Sequence, residues 1–147
     1  MRAELTVTPR DEESDVAVLV EMRNNTPEGL PQYVAGPFPQ AEGAAEGLYQ
    51  GLLVAELPHL ARDLHITDNS GERLDLAAAG PDGPAWVVAT YVEVPRGQSR
   101  SAVVRFRLPR GSRALVVEPS ARVPAVTWSF TGREWSDEVG HRVEWDE

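Results

Sequence analysis

The chain is expected to fold as an all-β protein, a two-sheet antiparallel β-sandwich of immunoglobulin-like or related type. Three observations predict it. Apolar and polar side chains alternate at every second position through most segments, which places them on opposite faces of a strand. Glycine, proline and asparagine punctuate those segments at a spacing of about ten residues, as in sandwiches and barrels. No segment sustains the longer period of an amphipathic helix.

In chain order, Leu5 and Val7 alternate with Glu4, Thr6 and Thr8 in a half-buried strand, and the acidic run Asp11-Glu12-Glu13 makes a solvated turn. From Asp15 to Arg23, Val16, Val18, Val20 and Met22 share one face, and Asn24-Asn25-Thr26-Pro27 stops the strand because proline cannot extend a ladder. Residues 28 to 47, with Pro31, Pro37 and Pro39, read as a long irregular loop holding one short strand over Gln32 to Ala35, and the glycines of Ala41 to Gly47 make the helical turn that segment could form costly. A loop of that length in a small domain is functional or mobile.

Leu48 to Leu57 is a strand ended by Pro58, and Leu64 to Ile66 with Leu74 to Leu76 forms a hairpin around Asp68-Asn69-Ser70-Gly71. Gly80-Pro81-Asp82-Gly83-Pro84 is a loop, and Ala85 to Val94, apolar on both faces, is a mid-sheet strand. Pro95-Arg96-Gly97-Gln98 turns it into Arg100 to Leu108, the clearest hairpin in the chain. Ala114 to Val117, Val126 to Phe130 and Arg142 to Trp145 complete the strands. Two packed sheets accommodate the irregular segment better than a closed barrel does.

Composition limits the function. At 147 residues the chain has the size of one domain spanning residues 1–147, and 41% apolar residues suffice for one core. No apolar run approaches the roughly 20 residues that cross a bilayer, and Met1-Arg2-Ala3-Glu4 lacks a signal-peptide stretch. The expectation is a segment that does not insert in a membrane, with removal from a longer anchored protein left open. A net charge of -9 argues against nucleic acid, which needs clustered cations, and favours basic partners or cations. The absence of cysteine excludes disulfides and thiolate metal sites. All 14 basic residues are arginine, a bias attributed to bacterial codon usage.

No catalytic, cofactor or metal constellation is legible. His59, His65 and His141 lack metal-ligand spacing, and no G-x-S-x-G elbow or phosphate-cradling glycine motif occurs. Glu134, Asp137 and Glu138 are the candidate pair-forming carboxylates for hydrolysis, but they fall in a loop where solvation keeps them acidic. That cluster and Asp11-Glu12-Glu13-Asp15 lack calcium-loop spacing. Asn24-Asn25-Thr26 formally matches a glycosylation acceptor without meaning in a bacterial chain.

The aromatics say more. Trp86 and Trp128 belong to the core, the latter alternating with Phe130. Trp135, in the acidic loop, and Trp145, near the terminus, are candidate platforms for a sugar ring or a protein contact against the commoner alternative of packing in the core or at its rim, and Tyr33 and Phe38 in the proline-rich loop are the other candidate contact residues.

Val20-Glu21-Met22-Arg23-Asn24-Asn25-Thr26-Pro27, with Leu30-Pro31-Gln32-Tyr33-Val34, resembles a stretch in the β-rich C-terminal part of actinobacterial membrane-anchored surface proteins of unknown function. Tyr91-Val92-Glu93-Val94-Pro95-Arg96-Gly97-Gln98-Ser99 is similar to a strand, turn and strand of the same proteins, whereas the acid-rich C-terminus here departs from them. The resemblance implies an extracellular, envelope-associated setting and transfers no catalytic residue.

The functional expectation is a non-catalytic module without cofactor, making protein or cell-envelope contacts through an edge strand or the loop from 28 to 47. Carbohydrate binding by exposed aromatics is the alternative, and a carboxylate-dependent hydrolase the third reading. Nothing in the pattern sets an oligomeric state.

Overall fold

The computed structural model describes residues 1–37, 45–121 and 124–146. The predicted alternation is realised as strands β1 (Arg2–Pro9), β2 (Glu13–Arg23), β3 (Tyr49–Pro58), β4 (Arg62–Thr67), β5 (Ala78–Asp82), β6 (Ala85–Val94), β7 (Ser99–Pro109), β8 (Ala114–Val117), β9 (Thr127–Phe130), β10 (Arg133–Ser136) and β11 (His141–Glu144), with one short helix α1 (Gln32–Ala35). They form an all-β sandwich. One layer is a six-stranded sheet ordered β10-β9-β1-β2-β7-β4; opposite it lie a three-stranded sheet β3-β6-β5 and the two-stranded ribbon β11-β8.

The period-two pattern sets the faces. Leu5 pairs with Val18, Ala3 with Val20, and Val16 with Phe106, so that these side chains share the inner face. Leu53, Val88, Val92 and Val94 meet them from the second layer in one hydrophobic cluster. Burial of that apolar surface is the main drive for closing the two layers. Pairing is antiparallel apart from β1 and β9, which run parallel over Arg2–Leu5 and Thr127–Phe130.

Several local expectations are corrected. Gln32–Ala35 is a helical turn rather than a strand: Pro31 opens it, Val34 and Ala35 donate to the Pro31 carbonyl, and Gly36 ends it at φ 73°. Pro95-Arg96-Gly97-Gln98 does not close a hairpin. It is an arch that carries the chain from β6 in the three-stranded sheet to β7 in the six-stranded one, where β7 pairs with β2 and β4. The turn chemistry is the same for either path, and only the partner distinguishes them.

Gly80–Asp82 belongs to β5, whose Pro81 is tolerated because an edge strand pairs on one side alone; the turn shrinks to Gly83-Pro84. The hairpin expected around residues 68–71 is reduced to a bridge between Thr67 and Arg73, and the Asp75 carbonyl instead accepts from the Thr90 hydroxyl. The segment read as an acidic loop contains β10, joined to β9 by Thr131 and Gly132 at φ 49° and 79°, the left-handed pair of a tight hairpin turn. The helical turn expected over Ala41 to Gly47 lies mostly outside the described residues.

Candidate binding surface

β3 is rich in apolar residues on both faces. Gly51-Leu52-Leu53-Val54-Ala55 is a continuous run, so when Leu53 and Leu57 enter the core, Leu52 and Val54 must point to solvent. They are 48% and 52% exposed. Register on β6 puts Tyr91, 75% exposed, directly across from Leu52. Gln50 and Glu93, the next pair along, share a side-chain hydrogen bond of 2.6 Å. The outer face of the three-stranded sheet therefore carries an apolar patch with a polar end.

β3 is also the edge of that sheet, and among the described residues no strand is hydrogen-bonded to its outer side. It is ten residues long, with its one proline at the last position, and it carries none of the cations or bulges that usually blunt such an edge. The other edge of the sheet, β5, is half as long, at five residues, and contains Pro81. Beside β3 lies a groove of about 560 Å³, lined by Met1, Met22, Tyr49, Leu52, Val54 and Ser120 among others.

Asn24 fixes the end of this groove. Buried just past β2, it donates from Nδ2 to the carbonyls of Gly47 (2.7 Å) and Val94 (2.8 Å), and its Oδ1 accepts from the Thr26 amide and hydroxyl. Gly97 N–H donates to the Asn24 carbonyl. One side chain thus ties the β2 end, the entry to β3 and the β6–β7 arch together, which leaves no free amide for the glycosylation that the N-x-T spacing formally matched.

The four aromatic candidates separate. Tyr33 stands on α1, 74% exposed beside the exposed Val34, and the end of that helix is held to the chain entering β3 by the Gly47 N–H donating to the Gly36 carbonyl. Phe38 lies outside the described residues. Trp135 and Trp145 are half-buried and pack against the core. Trp135 stacks with Trp128, at 6.3 Å between centroids, and with His141, at 4.3 Å. A face stacked on protein is not offered to a sugar.

The carboxylates do not converge. Asp137, expected in solvent, is 2% exposed. Burial pushes its pKa up, but hydrogen bonds from the Val126 and Ser120 amides outweigh this and hold the carboxyl below its ordinary value. It serves as a clamp between two loops and is kept acidic by donors rather than by water. Glu134 and Glu138 remain exposed. Among the described residues no group of three or more His, Asp and Glu side chains could hold a metal ion.

Two shallow polar hollows mark the outer face of the six-stranded sheet. One carries Glu4, Glu21 and Glu134, and the other Arg10, Arg105, Arg107, Asp15 and Asp63. In the second, Arg107 lies within 3.0–3.3 Å of Glu13, Asp15 and Asp63, so its charge is balanced locally.

Sequence reasoning missed Leu52, Val54 and Tyr91. The signal was present in the unbroken apolar run of β3: in a strand solvated on one face, such a run leaves apolar side chains outside. Comparison with known protein families, characterised proteins and solved structures finds no match to this chain.

Proposed function

We propose that the chain is a non-catalytic binding module that contacts another protein at the cell envelope through β3 and the surface beside it. The observation that carries this reading is the apolar patch of Leu52, Val54 and Tyr91 on the sheet whose edge is open. Contiguous exposed apolar surface is the signature of an interaction site, whereas scattered single residues are not. Tyr33 and Val34 on α1, fastened to the entry of β3, supply a second apolar contribution from the loop region. The envelope setting rests on the resemblance of residues 20–34 and 91–99 to anchored surface proteins, and Tyr91 falls within the second of those segments.

A photo-crosslinking amino acid in place of Tyr91, in the full-length protein in its native cells, tests this. A discrete adduct with one protein is expected, and it should disappear when Leu52→Lys is added. Cross-linking to nothing, or adducts unaffected by Leu52→Lys, would end the reading.

A further inference from the structure

The second layer of the sandwich is interrupted beside β3. β6 packs against β7 and β4, and Met22 of β2 lines a common groove with Tyr49, Leu52 and Val54, which puts β3 on the β2 side, with β1, β9 and β10 following in the larger sheet. The β11-β8 ribbon covers the far end of that extension, where His141 stacks on Trp135. The groove beside β3 occupies the break: Met1 and Met22 come from the larger sheet, Tyr49, Leu52 and Val54 from β3, and Ser120 from the segment after β8.

This geometry selects the occupant. A second copy of the chain approaching edge to edge would bring its own six-stranded sheet into β1, β9 and β10. A single extended segment meets no such obstacle, because it needs only the width of one strand, about 4.8 Å. Its main chain would pair with β3, one set of alternate side chains would enter the groove over Met1 and Met22, and the other set would continue the outer face next to Leu52 and Val54. Both sets must be largely apolar or β-branched at the centre. Glu56 on the outer face of β3 and the net charge of -9 favour a cationic end placed at Glu56, because the charged residue that lines the groove itself is Arg23.

We infer that the groove is a strand acceptor for an extended, centrally apolar and terminally basic segment of another polypeptide, added to β3 by β-augmentation. This rests on the proposed reading of the chain as a protein-binding module and names how the partner is held.

The test uses the full chain and a synthetic peptide alternating valine with threonine behind an arginine pair, with hydrogen exchange of the β3 amides as readout. With peptide at about ten times its Kd, exchange of the Tyr49–Pro58 amides that face away from β6 should slow about tenfold. The same peptide N-methylated at alternate residues, which cannot complete the ladder, should give no protection. Neither should the native peptide on Val54→Lys, a substitution at an exposed position that leaves the core intact.

Three outcomes would overturn the inference: no protection by the native peptide, equal protection by the N-methylated one, or protection, in the protein alone, of the β3 amides that face away from β6. Cross-links at position 91 without peptide protection would retain the partner and eliminate strand addition. Protection without cross-links would retain the acceptor groove and eliminate the envelope partner.

Discussion

Asn24 and Asp137 are polar side chains buried in an otherwise apolar interior, and each is held by hydrogen bonds to the backbone. Asn24 satisfies the carbonyls of Gly47 and Val94 at once. Asn24→Ala leaves both without donors in a buried site, and a loss of about 2 kcal/mol is expected, read as a shift of the denaturant midpoint at unchanged slope. Asp137 makes a pH-dependent contribution. Its folded pKa lies below the ordinary 3.8, so its stabilisation is complete above that value and is lost as pH falls through the folded pKa. Unfolding free energy measured from about pH 5 to pH 2 should therefore fall more steeply for the wild type than for Asp137→Asn. Equal slopes would show that the two backbone amides do not discriminate the carboxylate from the acid.

At the scale of elements, the short strands are fastened by side chains more than by their ladders. β10 has four residues and a single partner strand, yet its Trp135 stacks with Trp128 on β9 and with His141 on β11. Trp135→Ala should destabilise the fold by about 2 kcal/mol, less than the 3–5 typical of a fully buried aromatic because the ring is half-buried. Amide exchange in β9, β10 and β11 should rise together, since one ring joins all three. If exchange rises in β10 alone, the stack is not what holds the ribbon to the larger sheet. β3 is the opposite case, a long strand well paired on one side and, among the described residues, open on the other.

For the whole molecule, few neighbouring strands pair with each other. β1–β2, β5–β6 and β9–β10 are hairpins, but β2–β7, β3–β6 and β4–β7 close long loops, and β1–β9 joins Arg2 to Thr127. Long loops must be closed before such contacts stabilise anything, so refolding is expected on the millisecond-to-second scale of non-local β proteins. Stopped-flow tryptophan fluorescence reads this, because Trp86 on β6 and Trp128 on β9 both pack against the one core cluster that the two layers share. A microsecond phase carrying the full amplitude would contradict the topology.

What the sequence determined by itself is which residues face inward and roughly where strands begin and stop. Alternation alone puts Val16 and Val20 on one face, and both are buried in the core, because a side chain's face follows from its position in its own strand. Tertiary structure decided partnership: that β6 and β7 lie in different layers, that β1 and β9 run parallel, that Gly80–Asp82 and Arg133–Ser136 are strands, and that β3 is an edge. These depend on contacts between residues far apart in the chain, and a strand carries the same local pattern whichever neighbour it acquires. The candidate surface was hidden for a related reason, since Leu52 and Val54 look like core residues until the outer face of the three-stranded sheet, with Tyr91 of β6 beside them, is seen to have no layer over it.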